Sequence, residues 1–313
     1  MANKGKYYES QFEEATIALL REAHWQYTFG DDIHRKYTDP LIEEDLRNFL
    51  ATQYKNKKLT VAEIDGIVAN LRNTGGQNDY YALRNAFLLY RDGYDFTYSD
   101  GRNNPFRLEY IDFEHPDHNI FRCVNQFVME QGRENRRPDI LLFINGIPVC
   151  IIELKNPTKQ NATIRDAHTQ ICIRYTRDIP TLLKYCALAV ISDGAKNALG
   201  TTYTPFEFFY EWKKIENEDK AGKGLDTLRT LIRGALSPER ILEILRDYVY
   251  FPDPVKEDDT TEIVCRYPQF FATRKLRDHI LNHLRSIGGD GKGGTYFGAT
   301  GCGKTYTMLL RNM

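Results

Sequence analysis

Two apolar runs, residues 140–144 and 147–152, flank Asn145-Gly146 in the stretch PDILLFINGIPVCIIELKN. Asn-Gly between two β-prone runs is a strong hairpin signal, because both turn positions need positive φ. Both runs are strongly apolar, so the sheet they belong to is buried. A further strand is expected over 120–129, a buried strand over 186–192, and a short aromatic element over 206–212. An amphipathic helix is expected over 163–177. Strands interleaved with helices argue for an α/β fold.

The flanks read as helical. Apolar residues at helical spacing, Phe12, Ile17 and Leu20 among them, predict a helix over 8–21. Pro40 stands where a first turn would begin, before LIEEDLRNFL. Thr60 and Glu63 form a capping-box pattern, and 78–89 is a further helix. Helix returns from Leu225, with Ser237-Pro238-Glu239 as N-cap and proline at the first helical position. The run FPDPVKEDDTTE (251–262), with two prolines and five acidic residues, reads as a linker. This divides the chain into 1–250, the linker 251–262, and 263–313. In the last part a helix is expected over 274–286 and a short strand over 295–297.

Several function classes drop out. The 313 residues allow one large domain or two modest ones. No apolar run is long enough to cross a bilayer, and the opening MANKGKYYESQFEEA is not a secretory signal. Six widely spaced cysteines with no C-x-x-C pair argue against a disulfide scaffold or a cysteine-based zinc site, and a reducing cytoplasm is the expected home. A net charge of −1 excludes a globally basic nucleic-acid binder but not a local basic groove.

The chemistry begins at Pro138-Asp139 and, fourteen positions on, Glu153-Leu154-Lys155. Strand alternation puts Glu153 and Lys155 on one face. Two carboxylates, Asp139 and Glu153, suit a hard cation such as Mg²⁺, which polarises a phosphate and promotes water deprotonation. Lys155 can orient the nucleophile or stabilise developing charge. Register tests this directly. A two-residue Asn145-Gly146 turn sets Asp139 opposite Ile152, on the wrong face. Asp139 opposite Glu153 requires pairing centred on Gly146, so a three-residue turn or a glycine bulge is expected. The competing reading is a strand end with ordinary solvated charges. Nearby Arg133, Arg136, Arg137, Lys159, Arg165, Arg174 and Arg177 could neutralise DNA phosphates, or form a solvated face. Gln170 and Tyr175 could meet the site from the 163–177 helix. Positions five apart lie on different α-helical faces, so the two are not expected to point into one narrow site together.

A second motif closes the chain. Gly298-Ala-Thr300-Gly301-Cys-Gly303-Lys304-Thr305 fits G-x-x-x-x-G-K-[ST]. Its backbone N–H groups would cradle phosphates at a helix N-terminus, Lys304 would reach the β- and γ-phosphates, and Thr305 would ligate Mg²⁺. Gln269 could read an adenine edge from upstream, or be a surface glutamine in a helix-entry loop. Eight residues follow Thr305, too few for the acidic metal ligand and central sheet of a nucleotide-hydrolysing domain. The chain is therefore expected to be a piece of a longer protein, without ATP hydrolysis of its own.

These residues together resemble the N-terminal part of the R (HsdR) subunit of type I restriction–modification enzymes. PDILLFINGIPVCIIELKNP resembles that family's PD-(D/E)XK nuclease core, with Asp139, Glu153 and Lys155 on the signature positions. ISDGAKNALGTTYTPFEFFYEW resembles the segment after the nuclease helix. RYPQFFATRKLRDHI resembles the adenine-reading Q-type motif, mapping onto Gln269, and GATGCGKTYT resembles motif I of superfamily-two helicases. The resemblance implies a restriction-endonuclease-like mixed sheet flanked by helices, followed by the beginning of a RecA-like motor. It also implies Gln170 among the catalytic residues. Such sites often carry glutamine and tyrosine four apart, where Gln170 and Tyr175 are five apart. They often include a helix glutamate, for which Glu13 is the nearest candidate, beside Glu9 and Glu14. Implied cofactors are Mg²⁺ and, for the whole protein, ATP. Implied partners are double-stranded DNA and the methyltransferase and specificity subunits. The implied activity is endonucleolytic cleavage coupled to ATP-driven translocation. Two other readings stay open: a translocase or repair helicase whose α/β domain only grips DNA, and a non-enzymatic module that docks other subunits.

Overall fold

The computed structural model describes residues 3–155, 163–216, 222, 224–253, 260–298 and 303–309. A seven-stranded mixed sheet runs through its middle, and its strands follow chain order from edge to edge. They are β1 (Gln26–Phe29), β2 (Phe121–Asn125), β3 (Ile140–Ile144), β4 (Ile147–Leu154), β5 (Leu188–Ser192), β6 (Asn197–Gly200) and β7 (Tyr210–Glu211). β1 runs parallel to β2 and β4 parallel to β5, and the other neighbours pair antiparallel. The central strands β3, β4 and β5 are buried along their whole length, which explains why they read as near-continuous apolar runs rather than alternating ones. The α/β reading and the mixed sheet flanked by helices hold.

Four helices precede most of the sheet: α1 (Asn3–Glu22), α2 (Glu43–Gln53), α3 (Val61–Asn73) and α4 (Asp79–Asp92). Their apolar stripes cover one sheet face, where Leu20, Leu46, Ile67 and Phe87 join Leu142 and Ile152 in one core. The Thr60–Glu63 capping box forms as read, Glu63 N donating to Thr60 Oγ1 and Thr60 N to Glu63 Oε2. The opposite face is covered by 164–183, whose Ala167, Ile171 and Ile179 pack on Leu141, Phe143 and Ile151. Among the described residues no helix is long and apolar enough to cross a membrane.

Four expectations change. Pro40 does not open a helix: α2 starts at Glu43, because the Ile42 N–H is drawn to the Gly146 carbonyl at 2.9 Å. The chain there packs against the hairpin turn instead of coiling. Ser237 stands at the N-cap but its hydroxyl donates back to the Arg233 carbonyl. Residues 295–297 are not a strand, since a strand needs a neighbour's backbone groups and no described strand borders them. The last long helix starts earlier than expected, at Tyr267, and runs to His283.

Packing continues across the 251–262 segment, of which 254–259 lie outside the described residues. Ile263–Val264 pairs antiparallel with Val249–Tyr250. Phe270 sits fully buried against Trp212 and Tyr248, with ring centroids 5.5 and 5.0 Å apart. The start of the third segment is thus part of the same core as the sheet.

Candidate active site

The hairpin places the carboxylates by a route the sequence did not indicate. Asn145 (φ 50°) and Gly146 (φ 77°) form a two-residue turn, with Ile144 opposite Ile147 and Phe143 opposite Pro148. A Cβ on Gly146 would run into the Ile42 carbonyl, so only glycine fits there. The expected three-residue turn or glycine bulge is absent. The pairing instead slips at Val149, after which Leu142 faces Cys150 and Ile140 faces Ile152. Continued one step, that register sets Asp139 level with Glu153. The β-bulge also reverses the strand's parity. Val149 and Cys150 both belong to the core under α1–α4, and Ile151 and Glu153 turn to the other face.

At this rim the groups converge. The Leu154 N–H donates to Asp139 Oδ2 at 2.7 Å, tying the aspartate to the partner strand. Lys155 Nζ donates to Glu153 Oε1 at 2.8 Å and to Gln170 Oε1 at 2.6 Å. Gln170 Nε2 donates to the Tyr175 hydroxyl at 2.6 Å, and that hydroxyl lies 3.3 Å from Glu153 Oε2. Glu153 is 1% exposed. Burial, and then the charge of Asp139, push its pKa up to about 8, against the opposing pull of Lys155 and Tyr175. Burial also raises the Tyr175 hydroxyl, which stays protonated.

The expectation that Gln170 and Tyr175 cannot share a site is corrected. Residues Gln170–Tyr175 are a π-helix between α5 (Ile164–Thr169) and the helical turn Thr176–Asp178. A π turn takes more residues than an α turn, so five-apart positions stack on one face. Such single-turn insertions are frequent at functional sites.

Of the three candidate glutamates, Glu13 reaches the sheet. Asn125 Nδ2 donates to its Oε1 at 2.6 Å and Gln126 Nε2 to its Oε2 at 2.9 Å. Gln126 also donates its N–H to the Asp139 carbonyl at 3.3 Å, so Glu13 stands one strand from the rim. Glu14 is exposed, and the side chain of Glu9 lies outside the described residues. Asn125 and Gln126 carried no sequence signal, because their role depends on a contact more than a hundred residues away. The basic residues divide. Arg136 and Arg177 are both committed to Asp178, and Arg165 lies over the Phe206 ring. Arg133, Arg137 and Arg174 are exposed, and Lys159 lies outside the described residues.

The phosphate-loop candidates are split in the same way. Thr300 and Gly301 lie outside the described residues. Lys304 Nζ donates to the Gly298 carbonyl at 2.6 Å, across the loop. Thr305 is exposed in the first turn of Lys304–Leu309. Gln269 is not a surface residue: it is buried in the first turn of Tyr267–His283. Its Oε1 accepts from the Arg266 N–H at 2.8 Å and its Nε2 donates to the Gly303 carbonyl at 3.2 Å. A cavity of about 410 Å³ opens beside it, lined by Tyr203, Phe208, Arg266, Gln269, Gly303 and Tyr306.

A mixed sheet with acidic groups and a lysine on the rim of its central hairpin, flanked by helices on both faces, is a restriction-endonuclease-like α/β fold. The family model for the N terminus of the type I restriction enzyme R protein matches residues 6–208. The chain belongs to that family. It is 28% identical over 96% of its length to the type I restriction enzyme HindI endonuclease subunit of Haemophilus influenzae, and covers 29% of that protein. It is 28% identical over 62% of its length to the EcoprrI endonuclease subunit of Escherichia coli, covering 59% of it. It is 24% identical over 85% of its length to the SsaAORF53P endonuclease subunit of Staphylococcus saprophyticus, covering 26% of it. The chain therefore spans a little under a third of the Haemophilus relative's length.

Proposed function

We propose that this chain carries the DNA-cleaving site of a type I restriction subunit, a Mg²⁺-dependent endonuclease acting on double-stranded DNA. The observation that carries the reading is the convergence of Asp139, Glu153 and Lys155 on one rim, brought about by the bulge at Val149. The donor set fits a hard cation: two carboxylates on neighbouring strands, one of them buried and raised in pKa by that burial and by the charge of the other. Asp139 and Glu153 would hold the ion. When bound it would polarise the scissile phosphate and acidify a water. Lys155, held between Glu153 and Gln170, offers an ammonium group to the attacking water or to the charge growing on phosphate. Tyr175 and Gln170 fix Lys155 and Glu153 in place, and Glu13 adds a carboxylate at the neighbouring strand end.

We assign residues 263–313 to the start of an ATP-driven translocase, with Gln269, Gly298, Thr300, Gly301, Gly303, Lys304 and Thr305 as nucleotide contacts. The bond from Gln269 to the Gly303 carbonyl, beside a cavity open to both, supports that assignment. Methyltransferase and specificity subunits are the proposed partners, with sequence readout left to them and phosphate contacts to this chain.

The decisive experiment uses the full-length protein assembled with those subunits and a covalently closed plasmid. Asp139→Ala and Lys155→Ala should each lower cleavage by about a hundredfold or more, the order seen when one preorganised charge-stabilising group is removed, with ATP turnover kept. Undiminished cleavage by either variant overturns the nuclease assignment and favours a domain that only grips DNA.

A further inference from the structure

At the opposite end of the hairpin from the rim, residues 110–120 wrap around the Asn145-Gly146 turn. Asn145 Nδ2 donates to the Tyr110 carbonyl at 3.0 Å and to Asn119 Oδ1 at 2.8 Å, and its Oδ1 accepts from the Ile120 N–H at 2.8 Å. Inside this loop lies the sequence Asp112-Phe-Glu-His115-Pro-Asp-His118. We infer that Asp112, His115 and His118 form a binding site for a borderline divalent cation of the Zn²⁺ type, separate from the nuclease rim.

Asp112 is 4% exposed and firmly anchored. Its Oδ1 accepts the backbone N–H groups of Glu114 and His115 at 3.0 and 2.9 Å. Its Oδ2 accepts from Gln53 Nε2 at 2.9 Å. The same Oδ2 faces both imidazoles, with His118 Nδ1 at 2.9 Å and His115 Nδ1 at 3.4 Å. The two rings stack with centroids 4.8 Å apart. The three candidate donor atoms all lie within 4.8 Å of one another. Zinc bonds of about 2.0–2.1 Å put tetrahedral ligands about 3.3 Å apart. The His115–Asp112 separation of 3.4 Å already matches this, and the His118–Asp112 separation of 2.9 Å, now a hydrogen bond, has to lengthen by about 0.4 Å. Both rings are exposed enough to rotate into such a geometry without moving the backbone.

The donor chemistry selects the ion. Two imidazoles and one carboxylate suit Zn²⁺, Co²⁺ or Ni²⁺. Mg²⁺ prefers all-oxygen shells, so the ion proposed for Asp139 and Glu153 would not compete here. Three protein ligands leave a position for water, which the exposed histidines make accessible. Gln53, on α2, steadies the carboxylate from outside the ligand set, as outer partners of metal ligands do. A bound ion would staple the loop that clamps the turn, and so stiffen the hairpin from its far end.

Calorimetric titration of the metal-stripped protein with ZnCl₂, in excess Mg²⁺, tests this. One equivalent should bind with micromolar or tighter affinity, raise the melting temperature, and give visible absorption bands when Co²⁺ replaces Zn²⁺. Asp139→Ala should leave this site unchanged. His118→Gln should abolish it, and Gln53→Ala should weaken it about tenfold or more, with far-UV circular dichroism unaltered in both. Wild-type protein that takes up no Zn²⁺ under these conditions overturns the proposal, leaving a hydrogen-bonded array only. So does uptake that Asp139→Ala removes and His118→Gln does not.

Discussion

Glu153 is a carboxyl group that folding has placed where water does not reach, one strand from another acid. Its pKa of about 8 follows from that position, and the sign of two pH effects follows in turn. A cation must displace the proton below that value, so at subsaturating Mg²⁺ cleavage should fall about tenfold per pH unit below 8. A rate flat between pH 6 and 8 would show that Glu153 is not a ligand. Without metal, the folded chain holds a proton that the unfolded chain has released anywhere between the ordinary value of 4.5 and about 8. Stability contributed by neutral Glu153 is therefore full below the lower limit and declines as pH rises through the upper one. Glu153→Gln should flatten this decline in urea melts run across the window. The pair of charges at 153 and 155 was legible in the sequence. Their environment was not, since no local pattern shows how deeply a strand end will be covered.

Two irregular elements make the site, and both are one-residue insertions into regular structure. The Val149 bulge turns Glu153 to the face of Asp139, and the π turn brings Tyr175 round to Gln170. Strand and helix periodicities of 2 and 3.6 predict that both pairs miss. The insertions correct the phase. Ile173, inside the π turn, is 58% exposed. Deleting it should close the turn into an α-helix with glutamine and tyrosine four apart, still on one face. Cleavage should survive that deletion within a few-fold. An alanine inserted after Ile173 should reduce it as severely as Gln170→Ala. If the deletion is inactive although folded, the π turn does more than restore phase.

At the scale of the whole molecule, the sheet has covered faces, and residues past the expected linker help to cover them. Phe270 belongs to the third sequence segment yet fills a space between Trp212 and Tyr248. Phe270→Ala should destabilise the sheet domain by about 3–5 kcal/mol, the range for a buried phenylalanine. A change confined to the phosphate loop should not. Equilibrium denaturation followed by Trp fluorescence reads this directly, because Trp212 is the neighbour. An unaltered midpoint would restore 251–262 as a true boundary. The same packing holds Gln269 beside the sheet domain, since Gln269 and Phe270 are adjacent on one helix.

The sequence alone determined the α/β class, the place of the hairpin at Asn145-Gly146 though not its turn type, the capping box at Thr60–Glu63 and the family, because each depends on short-range pattern or on residue identity at fixed spacing. It singled out Asp139, Glu153 and Lys155 as candidates, since their chemistry is carried by the side chains themselves, whereas Gln170 entered the catalytic set through the family resemblance. Tertiary structure decided how they meet. Whether a strand slips by one residue, or a helix widens by one, is settled by which side chains must be buried on each face of the sheet. That competition among distant residues leaves no local mark in the chain.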